Sequence, residues 1–357
     1  MWPALALTAL TALLALGPGA QAADAAPTGE LRARWGSEEN ALQAELRGDL
    51  RQAPWGLRGA ALLEALDAKD GTTPQQQARV LELHANADLG PWQLAAGRKV
   101  VSWDVGWAWR PNDVVQQEQR RQLGPVSLAG RPLLMAEYFE GDSATSAVWV
   151  NPNRQGEAAA RGADESALAL RHYRREGPLD LHLHARWGEH TFGSLGLAAA
   201  WVGHASLELH GSVRWLSHDD TYVGLPGTVA DGGAATLALA GLTWTGAQQQ
   251  TLILEAWWDG TAPPEHSPLS PFSQGQQRRN VYARGTWQPD IAPAWTLSLD
   301  ALRHPEDGGW LAGAGAVWQA DRLSVEAALR WSGGPADSVA AQLPVHRSGV
   351  LALRWPF

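Results

Sequence analysis

Leu179-Asp180-Leu181-His182-Leu183-His184-Ala185-Arg186-Trp187 is apolar at every odd position and charged or polar at nearly every even one. Successive side chains of a β-strand point to opposite faces, so the segment has one greasy face and one wet face. A helix would need apolar spacings of three and four. The same period-two pattern runs through Leu207 to Trp215 and Leu323 to Trp331, and through Leu31 to Trp35, Leu42 to Leu50, Leu81 to Leu89, Val281 to Trp287 and Leu351 to Phe357. Eighteen such segments begin near residues 29, 41, 56, 78, 92, 131, 143, 166, 179, 192, 206, 235, 250, 279, 294, 309, 322 and 346.

The links between segments alternate in length. After even segments they are tight, as at Leu89-Gly90-Pro91, Gly141-Asp142-Ser143 and Glu176-Gly177-Pro178. After odd segments they are often long: Asp104 to Gly130, Asn151 to Glu165, Ser217 to Gly233, Asp259 to Arg278 and Gly333 to Val345. Short periplasmic turns and long extracellular loops mark an outer-membrane barrel. The expected fold is all-β: a transmembrane antiparallel up-and-down β-barrel of 18 strands. Sixteen is the alternative count, because Phe192 to Trp201 and Ala234 to Trp244 alternate poorly.

A soluble sandwich, solenoid or propeller also has short, evenly spaced strands. A propeller should repeat every ~40–50 residues, and no such repeat is visible. Of the 20 tryptophans, 13 fall on the apolar face: Trp35, Trp55, Trp92, Trp187, Trp201, Trp215, Trp258, Trp287, Trp295, Trp310, Trp318, Trp331 and Trp355. Nearly all stand at a segment end. Trp310 and Trp318 bracket one segment, roughly 25 Å apart along it, which is about the height of a barrel's apolar band between its aromatic girdles.

Composition agrees. Of 357 residues, 45% are apolar and 18% charged, with no run near the roughly 20 apolar residues of a spanning helix. The chain has no cysteine, which excludes disulfides, thiol nucleophiles and thiolate metal sites. A net charge of −9 argues against general nucleic-acid binding. Ala4 to Leu16 is an apolar stretch suited to a signal peptide, broken by Gly17-Pro18-Gly19 and followed by Ala20-Gln21-Ala22, a small-x-small cleavage pattern. The start lacks Lys or Arg. The expected organisation is a cleaved signal peptide over residues 1–22 and a single barrel domain over 23–357.

The terminal Leu351-Ala352-Leu353-Arg354-Trp355-Pro356-Phe357 resembles the C-terminal β-signal of Gram-negative outer-membrane barrels, with Leu351, Leu353, Trp355 and Phe357 as its alternating apolar positions and Pro356 as a departure. Gly97-Arg98-Lys99-Val100-Val101-Ser102-Trp103, followed by Arg110-Pro111-Asn112-Asp113-Val114, resembles a strand-and-loop motif of porin-like proteins. The resemblance implies outer-membrane location, surrounding lipids and lipopolysaccharide, and passage through the barrel-assembly machinery. The first segment begins close to the cleavage pattern, so no plug or periplasmic repeat domain is expected before the barrel, which disfavours siderophore-type receptors and assembly-machinery barrels.

In general porins the third extracellular loop folds into the lumen. The resemblance therefore implies a constriction built from Asp104 to Gly130, with Arg110, Asp113, Glu118, Arg120 and Arg121 as its charged residues. Asn112 would cap a short helix through Gln122; the alternative is an external loop. Arg34, Arg186, Arg214 and Arg330 each precede an outward Trp near the extracellular rim, in two facing patches that would attract anions. The plainer reading pairs each with a lumen carboxylate such as Glu45, Glu208, Glu255 or Glu326. His182, His184 and His210 share the wet face without a recognisable metal-ligand spacing. His218-Asp219-Asp220 suggests acid–base work, but no activated serine or paired carboxylate accompanies it.

The expected function is a porin-like channel for passive diffusion of small hydrophilic solutes, not an enzyme, with no metal or other cofactor. The alternatives are a partner-bound export or interaction barrel and an outer-membrane hydrolase. Homo-oligomerisation is left open.

Overall fold

A computed structural model describes residues 28–69, 73–116, 120–121, 127–152, 165–218, 233–262 and 277–357. The signal-peptide segment and Glu118 lie outside these residues. The strands are β1 (Thr28–Gly36), β2 (Glu39–Gln52), β3 (Trp55–Ala68), β4 (Gln75–Leu89), β5 (Trp92–Lys99), β6 (Arg131–Glu140), β7 (Ser143–Val150), β8 (Ala167–Glu176), β9 (Leu179–Gly188), β10 (Phe192–His204), β11 (Leu207–Leu216), β12 (Ala235–Thr245), β13 (Gln250–Asp259), β14 (Arg279–Trp287), β15 (Trp295–Arg303), β16 (Trp310–Gln319), β17 (Ser324–Gly333) and β18 (Arg347–Pro356). Every strand pairs antiparallel with its chain neighbours, and β1 closes on β18. Closure removes every sheet edge, which is the condition for strands to cross lipid.

The strand count is therefore 18, and each expected start falls within three residues of the observed one. β10 and β12, whose alternation is poor, are regular strands. Their inward faces carry Ser194, Gly196 and Ala198, and Leu237, Leu239 and Gly241, rather than charged side chains. The cause is packing from inside the barrel, described below.

Closure at the chain ends is double. Gly29 N–H donates to the Phe357 carbonyl and Phe357 N–H donates to the Gly29 carbonyl, each at 2.9 Å. A side chain at Gly29 would collide with the Phe357 ring. Pro356 interrupts nothing at the end of the last strand.

The outer surface is apolar. Leu181, Leu183, Leu195, Leu197, Leu209 and Val213 are exposed on it. Among the tryptophans expected outside, Trp318 and Trp331 are half-buried and the rest are exposed. Trp149 and Trp244, absent from the expected set, are exposed as well. Each ends the apolar face of its strand.

Candidate functional site

The inner faces of β6, β7 and β8 are apolar where these strands adjoin the long loops, and turn polar further along at Glu137, Ser146 and Arg171. Leu133, Met135, Val148, Val150 and Ala169 point inward and pack with Ala95 of β5. Against them lie Val101, Trp103, Val114 and Val115 of the segment joining β5 to β6. The third loop therefore enters the lumen and rests on an apolar patch of wall. Burying a valine is worth about 1.5–3 kcal/mol, more than the net ~0.5–1.5 kcal/mol of one hydrogen bond. Apolar packing holds the loop, and polar contacts fix its position.

Those contacts run round the barrel. Glu255 of β13 accepts Trp107 N–H at 2.5 Å, Ala108 N–H at 2.7 Å and His210 Nε2 at 3.0 Å. Asn112, fully buried, donates from Nδ2 to the Leu197 carbonyl at 3.0 Å, Ser212 Oγ at 2.8 Å and the Val213 carbonyl at 3.2 Å. Gly196 makes room for it, since a Cβ there would overlap the Asn112 amide. Trp107 stacks on Tyr282 at 5.6 Å and Trp109 on Trp257 at 5.9 Å, tying the tip to β14 and β13. On the far wall, Ser127 Oγ donates to Glu45 at 2.5 Å and accepts from Arg32 at 2.6 Å. Ala129 packs on Ala60, Leu62 and Leu81.

Two carboxylates organise the loop internally. Asp104 accepts Asn112 N–H at 2.6 Å and Ser212 Oγ–H at 3.0 Å. Asp113 accepts Trp103 N–H at 2.8 Å, Asp104 N–H at 3.0 Å and the Ser102 hydroxyl at 2.9 Å. Burial pushes both carboxyls above their ordinary range, partly offset for Asp113 by Arg110 at 3.3 Å.

Arg110 and Asp113 are thus buried partners within one turn of the loop. Arg121 donates to the Ala108 carbonyl at 3.2 Å and lies over the Trp257 ring, while Arg120 is exposed. The stretch Asn112–Gln116 is not helical. The Asn112 side chain is spent on β10 and β11, which leaves no cap for a helix.

The four rim arginines have nearby partners. Arg34 pairs with Glu39 and Arg330 donates to the Arg121 carbonyl. Arg186 and Arg214 are buried; Arg186 meets Glu165 at 3.0 Å and the Val114 carbonyl at 3.3 Å, and Arg214 meets Ser194 Oγ at 3.0 Å and the Pro111 carbonyl at 3.2 Å. Both hold the loop's returning limb. His218 packs against Phe192; Asp219 and Asp220 lie outside the described residues.

The rest of the described wall carries charged pairs. Arg284 and Asp300 face each other at 3.9 Å across β14 and β15, and Arg354 meets Glu30 at 3.4 Å across β18 and β1. Gly313 and Gly315 on the inner face of β16 leave room for the Asp300 and Ser298 side chains of β15. A further polar cavity of about 170 Å³ is lined by residues including Asp49, Arg58, His84, Lys99 and Glu137. Among the described residues, no three His, Asp or Glu side chains gather as a metal site.

Of the residues that anchor the loop, Ser212 is absent from the sequence reading, Glu45 and Glu255 enter it only as counter-charges for the rim arginines, and Asn112 only as a helix cap. Their signal is indirect. Leu133-Leu134-Met135, Ala147-Val148-Trp149-Val150 and Ala167-Leu168-Ala169-Leu170 are apolar on both faces, which a water-lined wall would not be. Apolar residues on both faces of adjacent strands mark where something from the same chain must cover the inside.

No protein-family description matches the chain, and no curated protein matches its sequence. Solved structures match over 94% of it. OprD of Pseudomonas aeruginosa is 13% identical with a TM-score of 0.59 and 95% of its own chain covered. OccAB3 of Acinetobacter baumannii is 11% identical with a TM-score of 0.59 and 100% covered. OpdK of Pseudomonas aeruginosa, solved with vanillate, is 10% identical with a TM-score of 0.61 and 98% covered. In fold, the chain is an 18-stranded porin-type barrel similar to the OprD and Occ outer-membrane proteins.

Proposed function

We propose that the protein is an outer-membrane channel through which small hydrophilic solutes diffuse passively, exported with residues 1–22 removed and inserted by the barrel-assembly machinery. The observation that carries this reading is the third loop. It is anchored to opposite walls of the lumen by Glu255 and Glu45, so the chain narrows its own pore with a fixed, polar constriction. An export barrel regulated by a partner would need no such internal element. That OpdK, a barrel of the same fold, was solved with vanillate agrees with a small organic solute as cargo. The wall beside the loop presents charges of both signs, Arg284 with Asp300 and Arg354 with Glu30, which suits hydrated polar molecules.

Purified protein in planar bilayers should give discrete single-channel conductance without any partner, and proteoliposomes should swell in isotonic small sugars or organic acids but not in large oligosaccharides. A barrel that folds and inserts yet carries no current would end the channel reading.

A further inference from the structure

His184 of β9 is fully buried, and neither of its ring nitrogens has a hydrogen-bond partner. Its ring lies parallel to that of His182 at 5.9 Å, and on its other side is Trp103 of the loop at 6.3 Å. Directly opposite on β8 stands Arg171, which donates to His182 Nδ1 at 3.2 Å and lies over the Trp103 ring. Opposite on β10 is Gly196, whose side-chain space the Asn112 amide fills. The charged groups around the pair come from every packed element. β8 supplies Arg171 and Tyr173. β9 supplies Asp180, which accepts the Tyr173 hydroxyl, and Arg186, which is held by Glu165. β11 supplies Arg214 and His210, and the loop supplies Asp104, Arg110 and Asp113.

A proton arriving at His184 in the seated state finds no hydrogen-bond acceptor at either ring nitrogen and a cation, Arg171, directly opposite. With the loop lifted from the wall, lumen water reaches the ring and accepts its N–H groups.

From this geometry we infer that the stacked His182–His184 pair is an acid-sensitive latch, which seats the third loop at neutral pH and releases it when the lumen is acidified.

The sign follows from linkage. The unseated state binds the proton and the seated state does not, so acid populates the unseated state. With an ordinary imidazole value of about 6.5, one histidine shifts the balance about 100-fold at pH 4.5. Asp104 and Asp113 act in the opposite sense, because burial raises their carboxyls and the seated loop holds the protonated forms. They cannot supply an acid-driven opening.

The inference reads out through the channel proposed above and is separable from it. Single-channel recordings at pH 7 and pH 4.5 should show larger conductance levels in acid for the native chain. The H184Q and H182Q/H184Q variants, checked for heat-modifiable mobility, should keep the neutral conductance and lose the acid increase. H182Q alone serves if H184Q does not fold. A nitroxide at Q116C, on the buried limb of the loop, should gain mobility in acid only when the histidines are present. A pH-independent native channel, or an acid response surviving in the double variant, overturns the latch and leaves the channel reading standing. If no current flows at all, the channel reading fails and the nitroxide alone decides the latch.

Discussion

Asn112 shows how one side chain sets the position of a loop. Its amide reaches two carbonyls and a hydroxyl on β10 and β11, in a space that exists because residue 196 is glycine. Asn112→Ala strands these acceptors in a buried seat, a loss of about 1–3 kcal/mol, which is roughly a 5- to 150-fold rise in the unseated fraction. More frequent transitions between conductance levels, with barrel melting unchanged, are the expected result; identical recordings would show that Asn112 does not hold the loop. Glu255 stands to the loop tip as Asn112 does to its return, since Trp107 and Ala108 N–H both end on its carboxylate. Asp113 shares the carboxylate pH dependence of the loop with Asp104. Its folded pKa is raised, so the seated loop binds a proton more readily than the free chain. Its contribution to seating therefore weakens as pH rises through the window above about 3.9. Asp113→Asn should reduce that slope in the acid limb of loop mobility measured by the nitroxide, leaving the share of Asp104.

At the scale of elements, the barrel strands and the loop follow different rules. Each strand needed only its own alternation and the lengths of its turns, so all 18 could be placed from residues such as Leu179 to Trp187. The loop was not readable in that way. Its length marked it, but its path depends on pairings across more than 80 residues, Asn112 with Leu197 and Trp107 with Glu255. Local periodicity contains no trace of contacts that distant. The double-sided apolar stretches of β6 to β8 held part of the information, because Val148 and Val150 need a cover that only the loop supplies. Deleting Val114 to Gln122 should uncover that patch and widen the lumen, raising single-channel conductance severalfold; unchanged conductance would mean that the passage lies elsewhere. The last strand has its own test. Phe357 makes two closure bonds to Gly29, and removing it should lower outer-membrane yield and leave aggregated chain in the periplasm, measured by fractionation.

The whole molecule resolves the question of selectivity that single arginines leave open. A field that concentrates anions needs cations without nearby counter-charges. Here Arg32 meets Glu45 at 3.0 Å, Arg186 meets Glu165, Arg284 meets Asp300 and Arg354 meets Glu30, so charge is balanced locally at these four places, while Arg214 and Arg330 rest on neutral oxygens. Neighbouring opposite charges give a transverse field that orients water and favours polar over apolar solutes, because an apolar solute cannot replace the hydrogen bonds of the water it displaces. Net ion selectivity should accordingly be slight, and slighter still at 1 M salt, where the Debye length is about 3 Å. Changing Arg34, Arg186, Arg214 and Arg330 together to Gln separates the two roles. If they act through the field, the reversal potential moves toward cations at low salt. If they act as supports, as the contacts of Arg186 with Val114 and Arg214 with Pro111 indicate, conductance rises with little change in reversal potential. The second result is expected, and Arg186→Gln with Arg214→Gln should reproduce most of it, because these two hold Val114 and Pro111 from buried positions, with Arg330 adding a contact to the Arg121 carbonyl.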